Sequence, residues 1–392
     1  MTSQAALSAD HPRSRVVFAT SALLCAVLGL VLQWVEVNSR FGGNWTALFY
    51  TGSKFPVPPT LATERIYVFP NSTGYDGQMY HYVAHDPLVR TDIWRYTDNP
   101  RVRYRRILLP AMAFLLAFGR QASIDSAYVG ANLLFLFLGA WWLSRYLDSL
   151  GMQQPQLAAL FMLTPAALIS LDRLTMDLTF TALCIGFALY VRLRQDARAY
   201  AALALACLSR DTGFVLAAAA CLAMTVERRF KKAAAFATAV IPAAAWYVYV
   251  NLRTPDYSDP RFGELIPFKG ILETLLDPIT YRFSGPVNAG LRWLDRLELL
   301  GFMLASLLGV WLVRRNGFGQ LEVAILLWSL IGLCLPRSTW EDCYAIRVFT
   351  PMMIYVMLLG APLARWMTMA PLLLVLPRVA LQILGPIVTS WR

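Results

Sequence analysis

The residue types best suited to catalysis lie between positions 71 and 87, where an aspartate stands among tyrosines. Ser72 and Thr73 are residue types that favour helix N-caps, and Pro87 should end a helix before it. The spacing therefore predicts a helix with Asp76 in its first turn, where the helix dipole favours a carboxylate. At a membrane surface, desolvation would raise the pKa of Asp76 towards the working pH and suit it to general base catalysis. The alternative is that Asp76 only caps its own helix.

Four arginines are candidates for holding a phosphate group, because guanidinium groups bind phosphate through paired, charge-assisted hydrogen bonds. Arg210 lies in a predicted turn beside Asp211, and Arg347 lies at the start of a predicted membrane span. Arg105 and Arg106 belong to a basic stretch in the predicted first outer loop. The alternative for each arginine is contact with lipid headgroups at the membrane surface.

Two further groups of residues suggest sugar contacts. Asp172 and Asp177 bracket a predicted short turn, where they could bind sugar hydroxyls or only cap helices. Trp340, Glu341 and Asp342 suggest a sugar subsite with the indole as a stacking platform. The competing interpretation of Trp340 is an aromatic residue of the membrane interface.

His81 and His85 are four residues apart, the spacing of a helical metal-binding pair. The sequence offers no third ligand, so we predict no metal site and expect these histidines to stack or form hydrogen bonds near the site. The six cysteines lie mostly in apolar runs without paired spacing, which indicates neither disulfides nor a zinc motif. No cofactor is expected.

The elements that position these residues follow from composition. Of 392 residues, 57% are hydrophobic and only 15% are charged. A bilayer accounts for such a composition, because each spanning helix needs roughly 20 mostly apolar residues. The net charge of +11 then fits cytoplasmic loops and anionic lipids better than nucleic acid. We therefore predict a single all-α membrane domain over residues 1–392, with membrane lipids as partners and no nucleic acid.

Basic clusters fix the predicted orientation, since Lys and Arg are enriched in cytoplasmic loops. The clusters are Arg13 and Arg15, Arg145, 192–198, 227–232, Arg314 and Arg315, and Arg365. They predict about eleven transmembrane helices, with the N-terminus cytoplasmic and the C-terminus outside. The spans are 16–35, 126–144, 157–171, 178–193, 199–209, 213–226, 233–250, 296–313, 320–335, 347–364 and 369–388. The first run lacks a cleavage site and is predicted to be an uncleaved anchor.

Two long segments are then predicted on the outer side, 36–125 and 251–295. The apolar run 107–119 in the first is interpreted as an interfacial or re-entrant helix, because a crossing there would invert every later basic cluster. In the second, Phe268, Ile271, Leu272, Leu275 and Leu276 recur at helical spacing, opposite Lys269, Glu273 and Asp277. This pattern predicts an amphipathic helix on the membrane surface.

Short motifs along most of the chain resemble bacterial membrane glycosyltransferases of the GT-C superfamily. Tyr75-Asp76-Gly77-Gln78-x-Tyr80 and Ala84-x-Asp86-Pro87 resemble the first-loop signature of an uncharacterised cell-surface glycopolymer family. The further motifs are Tyr104-x-Arg106-Ile107-Leu108-x-Pro110, Leu208-x-Arg210-Asp211-Thr212-Gly213, Tyr281-Arg282-Phe283-x-Gly285-Pro286, Trp340-Glu341-Asp342 and Arg347-Val348-Phe349-x-Pro351. The layout is more distantly similar to protein O-mannosyltransferases and aminoarabinose transferases.

This resemblance implies a GT-C-type bundle in the bacterial inner membrane, with interfacial helices in its first outer loop and a periplasmic active site. It implies an inverting transferase that moves a sugar from a polyprenyl-phosphate donor to a glycan, lipid or protein acceptor. In that superfamily an acid of the first outer loop is catalytic, and Asp76 matches it. Gln78, Tyr80 and Asp86 are expected to contact substrate, whereas His81 departs from the pattern.

Two other functions fit the same sequence. A transporter or flippase of lipid-linked sugars would also use charges within spans, although no inverted repeat is evident and the first loop is long. A non-enzymatic scaffold for polysaccharide assembly would instead tolerate independent substitution of Asp76, Arg210 and Arg347.

Overall fold

A computed structural model of the protein describes residues 12–152, 154–257, 266–281, 283, 285–340 and 344–390. This part of the chain is mostly helical with one short strand pair, which confirms the expected all-α fold. The α-helices are α1 (Pro12–Arg40), α2 (Asp76–His85), α3 (Pro100–Arg105), α4 (Leu108–Leu116), α5 (Ile124–Asp148), α6 (Ala159–Met162), α7 (Pro165–Arg173), α8 (Asp177–Arg192), α9 (Asp196–Ser209), α10 (Thr212–Val226), α11 (Phe230–Ala237), α12 (Ile241–Arg253), α13 (Lys269–Leu276), α14 (Gly285–Asn316), α15 (Gln320–Leu333), α16 (Tyr344–Val348) and α17 (Thr350–Ser390).

Short 3-10 helices and one strand pair connect these elements. The 3-10 helices are Trp45–Phe49, Pro59–Leu61, Asp92–Tyr96, Gln121–Ser123, Pro155–Ala158, Thr238–Val240 and Arg337–Thr339. Strand β1 (Thr51–Gly52) pairs in parallel with β2 (Val68–Phe69), with Thr51 opposite Val68.

Five helical segments of the described chain are long and apolar enough to cross a membrane, as expected of an integral membrane protein. They are Val16–Arg40, Gln121–Asp148, Phe230–Arg253, Gly285–Asn316 and Thr350–Leu381. Helices α10 and α15 are apolar but shorter. The predicted span 157–171 is wrong as a single helix, because the chain breaks at Thr164, whose backbone is extended. Pro165 causes this break, since proline disfavours a helical conformation in the residue before it.

Segment α17 reverses direction at Ala364, whose φ of −153° and ψ of 70° are not helical. Phe349, just before α17, packs against Phe302 with ring centroids 4.9 Å apart, and Arg378 donates to Asp295 at 2.7 Å. A straight helix would separate positions 349 and 378 by about 40 Å, far more than positions 302 and 295 of α14 allow. The predicted spans 347–364 and 369–388 are therefore two antiparallel segments.

The predicted outer segments differ from expectation at their edges. Helix α4 has 9 residues, about 14 Å of helix, and is too short to cross a membrane alone. That length agrees with an interfacial or re-entrant helix. Helix α13 forms where the amphipathic pattern predicted it, with Ile271 buried and Leu272 exposed. Helix α14 begins at Gly285, before the predicted 296, because the helix continues into polar sequence beyond its apolar run.

Helix α8 lies at the centre of the bundle, with nearly all its residues buried between α5, α9 and α17. The beginning of α8 and the turn between α9 and α10 meet α2 and α16 at one end of the bundle. At the other end, about 22 Å away along α8, a cavity of about 640 Å³ opens among charged side chains. Its lining includes the basic residues Arg192, Arg194, Arg229 and Lys232 and the acids Asp196, Glu227 and Glu322.

Candidate functional site

Helix α2 begins at Asp76, so this carboxylate lies in the first turn as predicted. The predicted caps are wrong, because Tyr75 is the N-cap and makes no side-chain cap bond. The Ser72 hydroxyl instead accepts a hydrogen bond from the Gly74 N–H at 3.0 Å. The helix ends at His85, just before the Asp86-Pro87 pair, as the proline predicted.

Two arginines from distant segments hold the Asp76 carboxylate. Arg103 of α3 contacts it at 2.9 Å, and Arg347 of α16 donates a hydrogen bond to its other oxygen. Burial raises the pKa of Asp76, but Arg103, Arg347 and Arg106 outweigh burial and hold that pKa well below its usual range. The expectation of a raised pKa is therefore wrong, because cations from distant segments of the chain meet this carboxylate and outweigh its desolvation.

Arg347 connects Asp76 with a second, more deeply buried carboxylate. Its other terminal nitrogen lies 3.4 Å from Asp177, at the start of α8. Asp177 is 1% exposed and also accepts a hydrogen bond from Arg210, the first residue after α9. Asp76, Asp177, Arg210 and Arg347 thus form one continuous set of contacts between four segments of the chain.

The Tyr80 hydroxyl extends these contacts towards solvent. It accepts hydrogen bonds from Arg106 at 2.9 Å and from Arg103 at 3.5 Å. Arg106 also pairs with Asp211 at 2.9 Å, whose carboxylate is 41% exposed and accepts from the Tyr247 hydroxyl. We call this set the arginine–aspartate network; its members are Asp76, Tyr80, Arg103, Arg106, Asp177, Arg210, Asp211 and Arg347.

Arg103 was not selected from the sequence, whereas Arg105 was. Arg105 donates to Asn251 at 2.9 Å and lies over the Tyr247 ring. Arg103 and Arg106 are three residues apart and face the same side, the spacing that groups side chains on a helix. That spacing was the available signal for Arg103. The Asp98 carboxylate, which precedes α3, also pairs with Arg103 at 2.6 Å.

Three predicted substrate contacts lie outside the arginine–aspartate network. The Gln78 side chain is fully buried, accepting from the Gly52 N–H and donating to Tyr82. Asp86 accepts hydrogen bonds from the N–H groups of Arg90 and Thr91 and from the Thr91 hydroxyl, so it closes its own loop. Asp172 pairs with neighbouring Arg173 at 2.9 Å, whereas Asp177 pairs with Arg210 and Arg347.

Trp340 does not offer the predicted stacking platform. It is 7% exposed, stacks on Phe349 with ring centroids 5.9 Å apart and packs against Phe302. A sugar platform needs an open ring face, and this indole lies in an aromatic cluster. Glu341, Asp342 and Arg282 lie outside the described residues.

The two histidines of α2 face a different set of partners from Asp76. The His81 Nε2 lies 2.7 Å from Asp125 Oδ1 and 3.2 Å from His85 Nε2. Glu64 approaches both rings: its Oε2 atom lies 3.8 Å from His81 Nε2, and its Oε1 atom lies 3.4 Å from His85 Nδ1. The His81 ring stacks on Phe49 with centroids 4.0 Å apart, as the expectation of stacking or hydrogen bonding anticipated. Glu64 and Asp125 were not selected from the sequence, because neither has a spacing that links it to α2.

The chain was also compared with known proteins. No protein-family model matches it, and neither does a curated protein or a solved structure.

Proposed function

We propose that this chain is a membrane glycosyltransferase of the GT-C type, which moves a sugar from a polyprenyl-phosphate donor to an acceptor hydroxyl with inversion. The observation that carries the proposal is the contact of Asp76 with Arg103 and Arg347 in one partly open network. A carboxylate for the proton and guanidinium groups for the phosphate are the two parts such a reaction requires.

The finer topology belongs to the same proposal: about eleven crossings of a bacterial inner membrane, with the network at the periplasmic face. Supporting this orientation, the basic residues Arg192, Arg194, Arg229 and Lys232 line a cavity at the opposite end of α8, α9 and α10. Clusters of Lys and Arg favour the cytoplasmic side. The N-terminus is then cytoplasmic.

Arg103 and Arg347 can each bind a phosphate and still keep contact with one carboxylate. Arg347 contacts Asp177 as well as Asp76, and Arg103 contacts Asp98 as well as Asp76. A donor phosphate that takes the place of Asp76 on one guanidinium therefore leaves that guanidinium its second carboxylate. Paired hydrogen bonds from arginine to phosphate compensate for the exchange.

This exchange resolves a difficulty with Asp76 as a base. Between two arginines its pKa is held low, so it is ionised but accepts protons poorly. When an arginine turns to the donor phosphate, Asp76 loses a cation and its basicity rises. Binding of the donor thus prepares the base.

The reaction then proceeds by one displacement. Asp76 takes the proton from the acceptor hydroxyl while that oxygen forms a bond to the anomeric carbon. The bond from the anomeric carbon to the phosphate oxygen breaks, and the electron pair leaves on polyprenyl phosphate. Arginine stabilises the charge that develops on that oxygen.

The first experiment measures release of polyprenyl phosphate by mass spectrometry from a panel of synthetic polyprenyl-phosphate hexoses and pentoses, in membranes that contain the acceptor. We expect Asp76→Asn to lower the rate about 10²–10⁴-fold. The matched control is Asp92→Asn, an exposed acid between α2 and α3 that pairs with Arg95. An Asp76→Asn variant as fast as the parent would contradict the assignment. Transport of the lipid-sugar without release of polyprenyl phosphate would instead establish a flippase.

The second experiment does not depend on knowing the sugar. Native mass spectrometry of the purified protein compares binding of polyprenyl phosphate with that of the uncharged polyprenol. We expect a preference for the phosphate, and Arg347→Lys should weaken it about tenfold or more, because one ammonium cannot replace a planar, paired donor. Arg95→Gln, at an exposed site, is the control. Equal binding of both lipids would exclude phosphate recognition.

A further inference from the structure

We propose that Glu64, His81, His85 and Asp125 bind a divalent transition-metal ion of the zinc type. Each residue offers one ligand atom, and these four atoms all lie within 4.8 Å of one another. Two imidazoles and two carboxylates are ligand types that zinc accepts. This site would lie beside the arginine–aspartate network and is separate from the proposed transfer of a sugar.

The closest three ligand atoms approach tetrahedral spacing. His81 Nε2, His85 Nε2 and Asp125 Oδ1 form a triangle with sides of 2.7, 3.2 and 3.4 Å. A tetrahedral zinc ion with bonds of about 2.0–2.1 Å has ligand–ligand distances of about 3.3–3.4 Å. A small outward movement of Asp125 would make the three distances equal. Glu64, 3.8 Å from His81, is positioned to become the fourth ligand.

A neighbouring amide orients one of the histidines for this role. Gln121 Oε1 lies 2.6 Å from His85 Nδ1, and the Gln121 amide nitrogen donates to the His85 carbonyl at 3.4 Å. The amide oxygen therefore faces the ring and accepts a hydrogen bond from the Nδ1–H group. His85 Nε2 is left with its lone pair directed at His81 and Asp125. Metal-bound histidines usually donate their other ring N–H in this way.

A metal ion also accounts for polar atoms that hydrogen bonds do not. The Glu64 Oε2 atom is buried and accepts no hydrogen bond from any described residue. The two Nε2 atoms are 3.2 Å apart, and both lie near Asp125 Oδ1. A single proton on one Nε2 atom can form a hydrogen bond in only one of these three contacts. A cation at their centre would satisfy both nitrogens and both carboxylates at once. The carboxylates are partly exposed, 19% for Glu64 and 23% for Asp125, so an ion can reach the site.

The proposed ion joins three segments that are distant in the chain. Glu64 belongs to the loop before α2, the histidines belong to α2, and Asp125 lies in the first turn of α5. Asp76 begins the same α2 helix. The ion would therefore fix the helix that carries Asp76 against a long apolar helix, and four protein ligands are typical of such a structural site.

The test is metal analysis of the full-length protein, purified with an affinity tag that lacks histidine. Plasma mass spectrometry should detect one metal ion per chain, and chelator-stripped protein should bind zinc again with the same stoichiometry. Cobalt loaded in place of zinc should give the intense visible absorption of a tetrahedral site. Stripped protein that keeps its size-exclusion profile but shows no saturable zinc or cobalt binding would overturn the proposal and leave a metal-free hydrogen-bonded cluster.

Matched variants locate the ion. His85→Gln should abolish the stoichiometric binding, and His11→Gln, which removes the remaining histidine, should keep it. Gln121→Leu should weaken zinc binding about 10–100-fold, because it removes only the orienting hydrogen bond. Zinc binding equal in His85→Gln and His11→Gln would place the ion elsewhere and overturn the assignment.

Discussion

The two ends of helices α8, α9 and α10 differ in whether their ion pairs are buried or exposed to solvent. At one end, Asp177 is buried and shared between Arg210 and Arg347, and Arg347 also reaches Asp76 across 271 positions of sequence. At the other end, Arg229 pairs with Glu227 only two positions away, and both side chains are nearly half exposed. Buried pairs with distant partners require the whole fold, whereas exposed pairs between neighbours do not.

This difference shows where substitutions should matter. Taking a charge out of water is costly, so a buried ion pair is destabilised severely when one partner is lost. An exposed pair exchanges its partner for water at little cost. Substitutions in the arginine–aspartate network should therefore affect both stability and function. Substitutions around Arg192, Arg194, Arg229 and Lys232, which we call the basic end, should be tolerated.

Asp177→Ala should give the largest effect. It leaves the buried guanidinium groups of Arg210 and Arg347 without their shared carboxylate, and the expected loss is about 3–5 kcal/mol in the free energy of unfolding. The measurement is unfolding in mixed micelles at neutral pH. Asp196→Ala, which removes an exposed partner of Lys232 at the other end, is the control. Equal losses in the two variants would remove the distinction between the ends.

Gly77→Ala should have a smaller effect at the same end. A Cβ atom at Gly77 would lie 2.3 Å from the Arg173 carbonyl oxygen, which is backbone and cannot turn away. Moving α2 from the end of α7 should cost about 1–3 kcal/mol. At Gly130 of α5 a Cβ atom meets nothing within 4 Å, so Gly130→Ala should instead stabilise by about 0.5–1 kcal/mol. The same sign for both variants in a thermal unfolding series would refute this packing argument.

The sequence predicted those parts of the fold and site that depend on local pattern. Apolar runs located most of the long helices, although the run 157–171 is broken at Thr164, and Pro87 located the end of α2. The predicted start of α14 at 296 was wrong because polar residues continue that helix back to Gly285. Asp76, Arg210 and Arg347 were selected by residue type, and the structure brings them together.

The remainder could not be predicted because it depends on which partners meet in space. The pKa of Asp76 was expected to rise with burial, and only the positions of Arg103 and Arg347 reverse its direction. Trp340 has the residue type of a sugar platform, yet Phe349 covers its ring. Glu64 and Asp125 become neighbours of the histidines only when the loop before α2 folds onto α5.

Acidification should distinguish Asp76 from exposed acids. Its folded-state pKa is depressed despite burial, because Arg103 and Arg347 favour the carboxylate. The contribution to stability is present above the unfolded pKa, about 3.9, and is lost as pH falls below it towards the folded value. The parent should therefore lose more unfolding free energy than Asp76→Asn does when the pH falls from about 7 to about 3. These values lie about three units above and one unit below the unfolded pKa. Asp92→Asn should keep the parent's slope, and an equal slope in Asp76→Asn would contradict the pairing.

The smallest effect is expected at the basic end, where Arg229→Gln can be compared with the same substitution at buried Arg210. Arg229→Gln removes an exposed partner of Glu227 and should cost less than about 1 kcal/mol, decreasing further as salt is added. The same substitution at Arg210, which is buried against Asp177, should cost several times more and should change little with salt, because no solvent screens that pair. Unfolding free energies of the two variants at low and high salt measure this directly. A salt-sensitive loss at position 210 would mean that water reaches Asp177, and the buried end would then follow the rules of the exposed one.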